Sequence, residues 1–300
     1  MGLNMSRRLQ NHLNSRGEQL KYSNRTIARG ETLEKLGARV CPDFESLVQN
    51  CDVIFTMISD DAALLELSDR ATGLENLTGK IFIDSSTVHP ATSAAVKAKL
   101  NGKGASFVAS PVFGASLQAM DGQLIFAMAG PALTIDLLRP YIIGVMGKSI
   151  IDCGEDVSTS SLMKISGNVM VLGLQELISE FQVFAERNGL STGVTEKFIA
   201  DMYGPGLEGY SKRLTTGAYA PPHSTKPGFA VPLAIKDAKH ALSIANSLEM
   251  RIPTIENALA NMVSARVYAG DHLDSSSMYG TLRTQAGLSF WSSNSRQGKQ

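Results

Sequence analysis

Lys164 and Asn168 are the two residues of this chain whose types and spacing best suit catalysis. They stand four positions apart in Ser158-Thr159-Ser160-Ser161-Leu162-Met163-Lys164-Ile165-Ser166-Gly167-Asn168, so on a helix an ammonium and an amide share one face, one turn apart. The surroundings are apolar. Leu162, Ile165, Val169 and Leu172 make one stripe, and Met163, Met170, Leu174, Leu177, Phe181 and Phe184 another, the pattern of a helix buried between two bodies. Two readings of the lysine are open at this point. In the plainer one its stem lies along apolar surface, its head reaches water, and Asn168 caps a neighbouring loop. In the chemical one desolvation lowers the lysine pKa and makes it a usable proton donor near neutrality.

The elements that must hold this pair can be read outward from it. Asp156 and Ser158 are helix-start signals, and Gly189 after Glu186-Arg187-Asn188 is a stop signal, which predicts one helix of roughly 30 residues, about 45 Å long. Ahead of it, short β-rich runs alternate with helical ones: Arg39-Val40-Cys41, Asp52 to Met57, Lys80 to Asp84, Ser106 to Ala109, Leu124 to Ala127 and Ser149 to Cys153. That alternation predicts an α/β unit with a doubly wound, mostly parallel sheet. Ligands of such sheets sit at the carboxyl ends of the strands. Here those ends carry Met57-Ile58-Ser59-Asp60-Asp61, Ser85-Ser86-Thr87 and Phe113-Gly114-Ala115-Ser116. Small hydroxyl and glycine residues let backbone approach a ligand and supply N–H donors. The Asp60-Asp61 pair is read as a cap for the helix after it rather than a metal site.

The N-terminus supplies a second signal. Met1, Met5, Leu9 and Leu13 repeat at helical spacing up to Gly17, and Leu20-Lys21-Tyr22 then leads into Ser23-Asn24-Arg25-Thr26. A helix opening at a glycine, followed about 20 residues later by a strand end with polar groups, is the second half of a dinucleotide-binding βαβ unit. Gly2 stands at the last glycine of a G-x-G-x-x-G loop whose first strand and first two glycines are not in this sequence. At the strand tip, Asn24, Arg25 and Thr26 offer a guanidinium and small polar groups suited to a 2′-phosphate, which favours NADP over NAD.

After the long helix the strand signal fades, and Val194 to Met202, Ala234 to Leu248 and Pro253 to Ala269 keep helical spacing. The expected division is a dinucleotide-binding domain over 1–157, an all-helical substrate and dimerisation domain over 158–290 entered through the long interdomain helix, and a mobile polar tail over 291–300. Lys+Arg and Asp+Glu both number 28, so no basic excess recruits nucleic acid or an anionic membrane. No apolar run reaches the roughly 20 residues of a membrane span. Cys41, Cys51 and Cys153 form no C-x-x-C pair and His12, His89, His223, His240 and His272 have no ligand spacing, which fits a reducing compartment and no metal. The opening Met1-Gly2-Leu3-Asn4-Met5-Ser6 imitates a myristoylation signal, and Arg7, Arg8 and Arg16 imitate a transit peptide. The βαβ reading accounts for the same residues, and the cytoplasm is the expected compartment, with mitochondria as the alternative.

Taken in order, Asn24-Arg25-Thr26, Ile83-Asp84-Ser85-Ser86-Thr87 with Pro90, Pro111-Val112-Phe113-Gly114, Lys164-x-x-x-Asn168, and Phe229 with Lys236-Asp237 resemble the β-hydroxyacid dehydrogenases. This group includes 3-hydroxyisobutyrate dehydrogenase and the glyoxylate and succinic semialdehyde reductases, and is related to 6-phosphogluconate dehydrogenase. The resemblance runs from Met1 to about Arg283, with its first strand truncated away. It implies a Rossmann-like domain followed by an all-α domain. It also implies hydride exchange with NADP (or NAD), Lys164 as the acid/base on the substrate oxygen, and Asn168 holding the substrate beside it. By the same resemblance Gly2, Asn24, Arg25, Thr26, Met57, Ile58, Thr87, Phe229 and Lys236 lie at the cofactor, and Ser86, Thr87, Phe113, Gly114 and Asn168 at the substrate. A homodimer or homotetramer acting on a small β-hydroxy acid or alcohol is the expectation.

The departures are specific. Where the family's substrate loop reads Asp-x-x-x-Ser-Gly-Gly, this chain has Ala109, Phe113 and Ala115, and Leu242 stands where an acid is often found. A phenyl ring in place of a hydroxyl changes the pocket and keeps an imine reductase in view. The absent strand and glycines keep a non-catalytic cofactor-binding relative in view. A start codon placed too late would explain their absence, and a product of 300 residues without them would bind cofactor weakly and have poor stability.

Overall fold

All strands among the described residues, 1–298, lie ahead of Cys153, and the elements beyond it are helices. In this computed structural model the chain divides into two compact units between Lys164 and Ile165. The first unit begins with α1 (Gly2–Asn14), β1 (Lys21–Tyr22), α2 (Glu31–Glu34), β2 (Arg39–Val40), α3 (Phe44–Gln49) and β3 (Val53–Thr56). It continues with α4 (Asp61–Thr72), β4 (Ile81–Asp84), α5 (Pro90–Asn101), β5 (Ser106–Ala109), β6 (Val112–Phe113), α6 (Ser116–Met120), β7 (Leu124–Met128), α7 (Ala132–Ile142) and β8 (Gly147–Asp152).

The expected single sheet is seen in sections. β1 and β2 pair in parallel, β3, β4 and β5 form a second parallel group, and β7 pairs in parallel with β8 and antiparallel with β6. A bridge between Ala109 and Ala129 joins the end of β5 to the residue after β7. Side chains alternate across a strand, and this alternation produces the double winding. Ile83 and Val108 turn to the face where Met5, Leu9 and Leu13 of α1 and Leu138 and Ile142 of α7 pack. Ile54, Phe82 and Phe107 turn to the other, against Phe44 and Val48 of α3, Leu64 of α4 and Val96 and Leu100 of α5. Burying Met5, Leu9 and Leu13 is worth roughly 1.5–3 kcal/mol each, so the periodic stripe, more than helix propensity, holds α1.

The long helix, α8 (Val157–Arg187, 31 residues), falls where its start and stop signals lie. Asp156 accepts the Ser158 N–H at 3.0 Å. At the other end Gly189 takes φ +79°, and the Leu190 N–H returns to the Ala185 carbonyl at 3.0 Å, which satisfies a terminal carbonyl. One expectation fails here. Ile165 and Leu172 are buried, but Met163, Met170, Leu177 and Phe184 are exposed, Phe184 at 69%. The periodicity marks a continuous apolar stripe, and that stripe is exposed.

In the second unit α9 (Thr192–Thr215) is broken at Gly204, whose φ of +78° and adjoining Pro205 interrupt the helix without ending it. The sequence reads as a linker there because glycine and proline serve breaks and turns alike. α10 (Val231–Ser247), α11 (Pro253–Ala269) and α12 (Met278–Gln285) close a core that includes Leu172, Ile178, Leu214, Tyr219, Ile255 and Met262. Within 291–298, expected as a polar tail, Arg296 makes contacts to the helical unit. Arg296 donates to the carbonyls of His272 at 2.7 Å and Ala269 at 2.8 Å, and its N–H to Ala220 at 3.0 Å. Its polar side chain marked it as solvated, yet it satisfies carbonyls left by a helix end and a loop. Lys299 and Gln300 lie outside the described residues.

Candidate active site

The start of α8 is fixed to the first unit by small hydroxyls. Ser160 donates to the Ala127 carbonyl at 2.7 Å, and the Ser161 and Ser93 hydroxyls share a bond of 2.7 Å. One turn on, the half-buried Lys164 brings its ammonium 4.4 Å from the centre of the Phe113 ring, within cation–π range. The pleat explains the meeting. Val112 and its cross-strand partner Phe126 belong to the core, so Phe113 and its partner Ile125 face the opposite way, and both are only half-buried. Gly114 fixes the turn after the ring. It has φ +124°, and a Cβ there would come within 2.8 Å of Leu124, so only glycine fits without displacement.

Four residues beyond Lys164 the helix enters the second unit with Asn168, which is 3% exposed. Its amide nitrogen donates to Asp237 Oδ2 at 2.7 Å, and Lys236 Nζ lies 3.2 Å from Asp237 Oδ1. The carboxylate thus sets which end of the amide is the donor toward it. Phe229, half-buried against the helical core, is held through its backbone: its N–H donates to Asp274 at 2.8 Å, and Asp274 is paired with Arg213 at 2.6 Å.

At the strand ends of the first unit, Asp84 is the hub. It is 2% exposed and accepts from Thr56 Oγ1 and Ser86 Oγ, each at 2.7 Å. The same Ser86 oxygen accepts the Ile58 N–H at 2.9 Å. The ends of β3 and β4 are therefore tied through one buried carboxylate. The Ser86 hydroxyl is committed to this tie, so its assignment to substrate now rests on its backbone alone. Thr87, the next residue, is half-buried at the approach to α5. Asp60 caps α4 as expected, accepting the Ala63 N–H at 3.0 Å.

The residues suit a dinucleotide. At the first turn of α1 a Cβ on Gly2 would sit 3.3 Å from Met57, so the glycine permits close approach of helix and strand end. Asn24, Arg25 and Thr26 form an exposed turn after β1, closed by an Asn24 bond to the Thr26 carbonyl at 2.7 Å.

The family model for the NAD binding domain of 6-phosphogluconate dehydrogenase matches residues 1–154. The chain belongs to this family. It is an NAD(P)-dependent oxidoreductase of the β-hydroxyacid dehydrogenase group, acting on CH–OH groups. It is 29% identical over 293 residues to the NADH-dependent oxidoreductase ucdB of Aspergillus ustus, covering 97% of this chain and 98% of that protein. It is 28% identical to glyoxylate/succinic semialdehyde reductase 1 of Arabidopsis thaliana, over 91% and 93% of the two chains. Among solved structures it resembles 3-hydroxyisobutyrate dehydrogenase of Mycobacterium tuberculosis with L-serine, with a TM-score of 0.78, 24% identity and coverage of 94% and 96%. That likeness supports the fold.

Two acids of this dehydrogenase-family chain escape a reading of its sequence. Asp237 stands within a motif without a role of its own, and Asp84 reads as part of a strand. For Asp84 the available signal is an acid at the end of an apolar run, which calls for a partner when buried; Asp237, between Lys236 and Lys239, carries no such signal. α8 also carries the buried acid Glu176, beside an open cleft of ≈480 Å³ lined by Met170, Leu174, Leu177, Ile252 and Ile255 among others. Burial pushes its carboxyl up to about 7, opposed by a bond from Asn261 at 2.5 Å and reinforced by the charge of Glu180.

Proposed function

We propose that this oxidoreductase interconverts a small β-hydroxy acid or alcohol and its aldehyde or keto form, using NADP, with Lys164 as general acid/base. The observation that carries the reading is the half-buried Lys164 ammonium, set beside an aromatic ring on a helix tied to the sheet. When bound, the nicotinamide supplies a hydride to the carbonyl carbon or takes one from the carbinol carbon. In the reducing direction Lys164 Nζ donates its proton to the substrate oxygen as that oxygen gains charge, and is reprotonated from solvent. In the oxidising direction the neutral amine takes the hydroxyl proton. Asn168, oriented by its bond to Asp237, is proposed to hold the substrate beside the ammonium. Asp84 keeps the Ile58 and Ser86 segments in register for the cofactor, and Thr87, the next residue, is proposed to line it.

NADP is preferred over NAD on the strength of the exposed Arg25 after β1, where a 2′-phosphate can be met by a guanidinium. The exposed Met163, Met170, Leu177 and Phe184, seven residues apart along α8, support a homo-oligomer that covers them. The activities of these relatives favour small aldehydes and oxo acids as the first substrates to try. Oxidation of NADPH by a panel of glyoxylate, succinic semialdehyde, apolar aldehydes and cyclic imines, each with Lys164→Ala as control, tests the reading. Lysine-dependent carbonyl reduction is expected. Reduction of imines alone would move the enzyme to the imine reductases.

A further inference from the structure

We infer that Phe113 is the specificity-determining residue of this site and that it selects carbonyl substrates bearing an apolar group over those bearing a carboxylate. The inference rests on the proposed role of Lys164 and deepens it. The ring lies 4.4 Å from Lys164 Nζ, so it borders the space that a substrate oxygen must enter to reach the ammonium. The pleat fixes this direction, because Val112 and Phe126 are spent on the core and Phe113 and Ile125 are turned away from it together. Gly114 has φ +124° and admits no Cβ without meeting Leu124 at 2.8 Å, so a side chain at 114 would disturb the turn that follows the ring.

A ring in this position does two things at once. Its negative π face attracts the ammonium and, by the same quadrupole, disfavours an anion brought against it. A substrate carboxylate on this side of Lys164 would lose water and find no hydrogen-bond donor in the phenyl group, whereas an alkyl or aryl group would gain apolar contact. The Ser86 hydroxyl has no proton to offer such a carboxylate, since it donates to Asp84 and accepts from Ile58 at 2.7 and 2.9 Å. Discrimination of this kind in apolar pockets runs to roughly 10–200-fold.

The test compares two aldehydes of equal reach, 3-phenylpropanal and succinic semialdehyde, which differ in a phenyl group against a carboxylate three carbons from the same end. With NADPH, the wild-type enzyme should favour 3-phenylpropanal in kcat/KM by about tenfold or more. Phe113→Ser should lower that ratio at least about tenfold, mostly through KM, while Phe113→Leu, which keeps an apolar side chain, should hold it within about threefold. A wild-type preference for succinic semialdehyde, or a ratio that Phe113→Ser leaves unchanged, overturns the inference. In that event loss of turnover in Lys164→Ala would still leave the acid/base reading standing. Failure of both aldehydes in protein that binds NADPH overturns the inference and the reading beneath it together.

Discussion

The two polar side chains at the head of α8 are one turn apart and are held in opposite ways. Lys164, at the end of the first unit, meets the face of a ring that cannot take its proton. Asn168, at the start of the second, is buried with its nitrogen committed to a carboxylate that is itself paired with Lys236. The difference separates two jobs. A proton donor needs surroundings that tolerate its charge, which a ring face does, whereas an orienting amide needs a partner that removes its freedom to flip. Substitutions on the two sides should therefore fail differently.

The largest effect is expected at the lysine. Lys164→Ala should reduce kcat by about a thousandfold, within the range of general acid–base contributions, while NADPH affinity measured by fluorescence titration stays within about twofold. Next comes Glu176, the buried acid further along the same helix, for which no cation among the described residues plays the part Lys236 plays at Asp237. Its carboxyl rises from 4.5 to about 7, so between those values the folded protein keeps a proton that the unfolded chain has released. Stability should fall by up to about 3 kcal/mol as pH rises through that window and level off above it. Denaturant unfolding at pH 5 and pH 8 reads this directly, and Glu176→Gln should flatten the slope.

On the amide side, Asp237→Ala should lower kcat/KM by about 10–100-fold, the worth of a hydrogen bond to a charged group. Its effect should largely vanish in an Asn168→Ala background, since both changes remove one interaction. Additive losses would detach Asp237 from Asn168. The smallest change concerns the cofactor. Arg25→Ala should weaken NADPH binding about tenfold and leave NADH nearly unaffected, and equal weakening of both would remove the 2′-phosphate from its role.

Much of this is legible in the sequence, and the omissions have a common cause. The bounds of α8, the alternation before it, and the placing of Lys164 with Asn168 come from periodicity and caps, which are local. Periodicity states which residues share a face but not what covers it, so Met163, Met170, Leu177 and Phe184 read as buried and are exposed. The ring on Lys164 depends on the pairing of β6 with β7, and the tie at Asp84 on the pairing of β3 with β4. Neither contact has a trace in residue spacing alone. Asn168 reads as capping a loop or holding substrate; its carboxylate partner lies 69 positions away.

The most direct measurement of the central claim is chemical rescue of Lys164→Ala. With NADPH and whichever aldehyde the wild type reduces fastest, added methylamine should restore turnover in a saturable, concentration-dependent manner, and tetramethylammonium, which has no proton to give, should not. Turnover by Lys164→Ala at the wild-type rate without any amine would contradict the account.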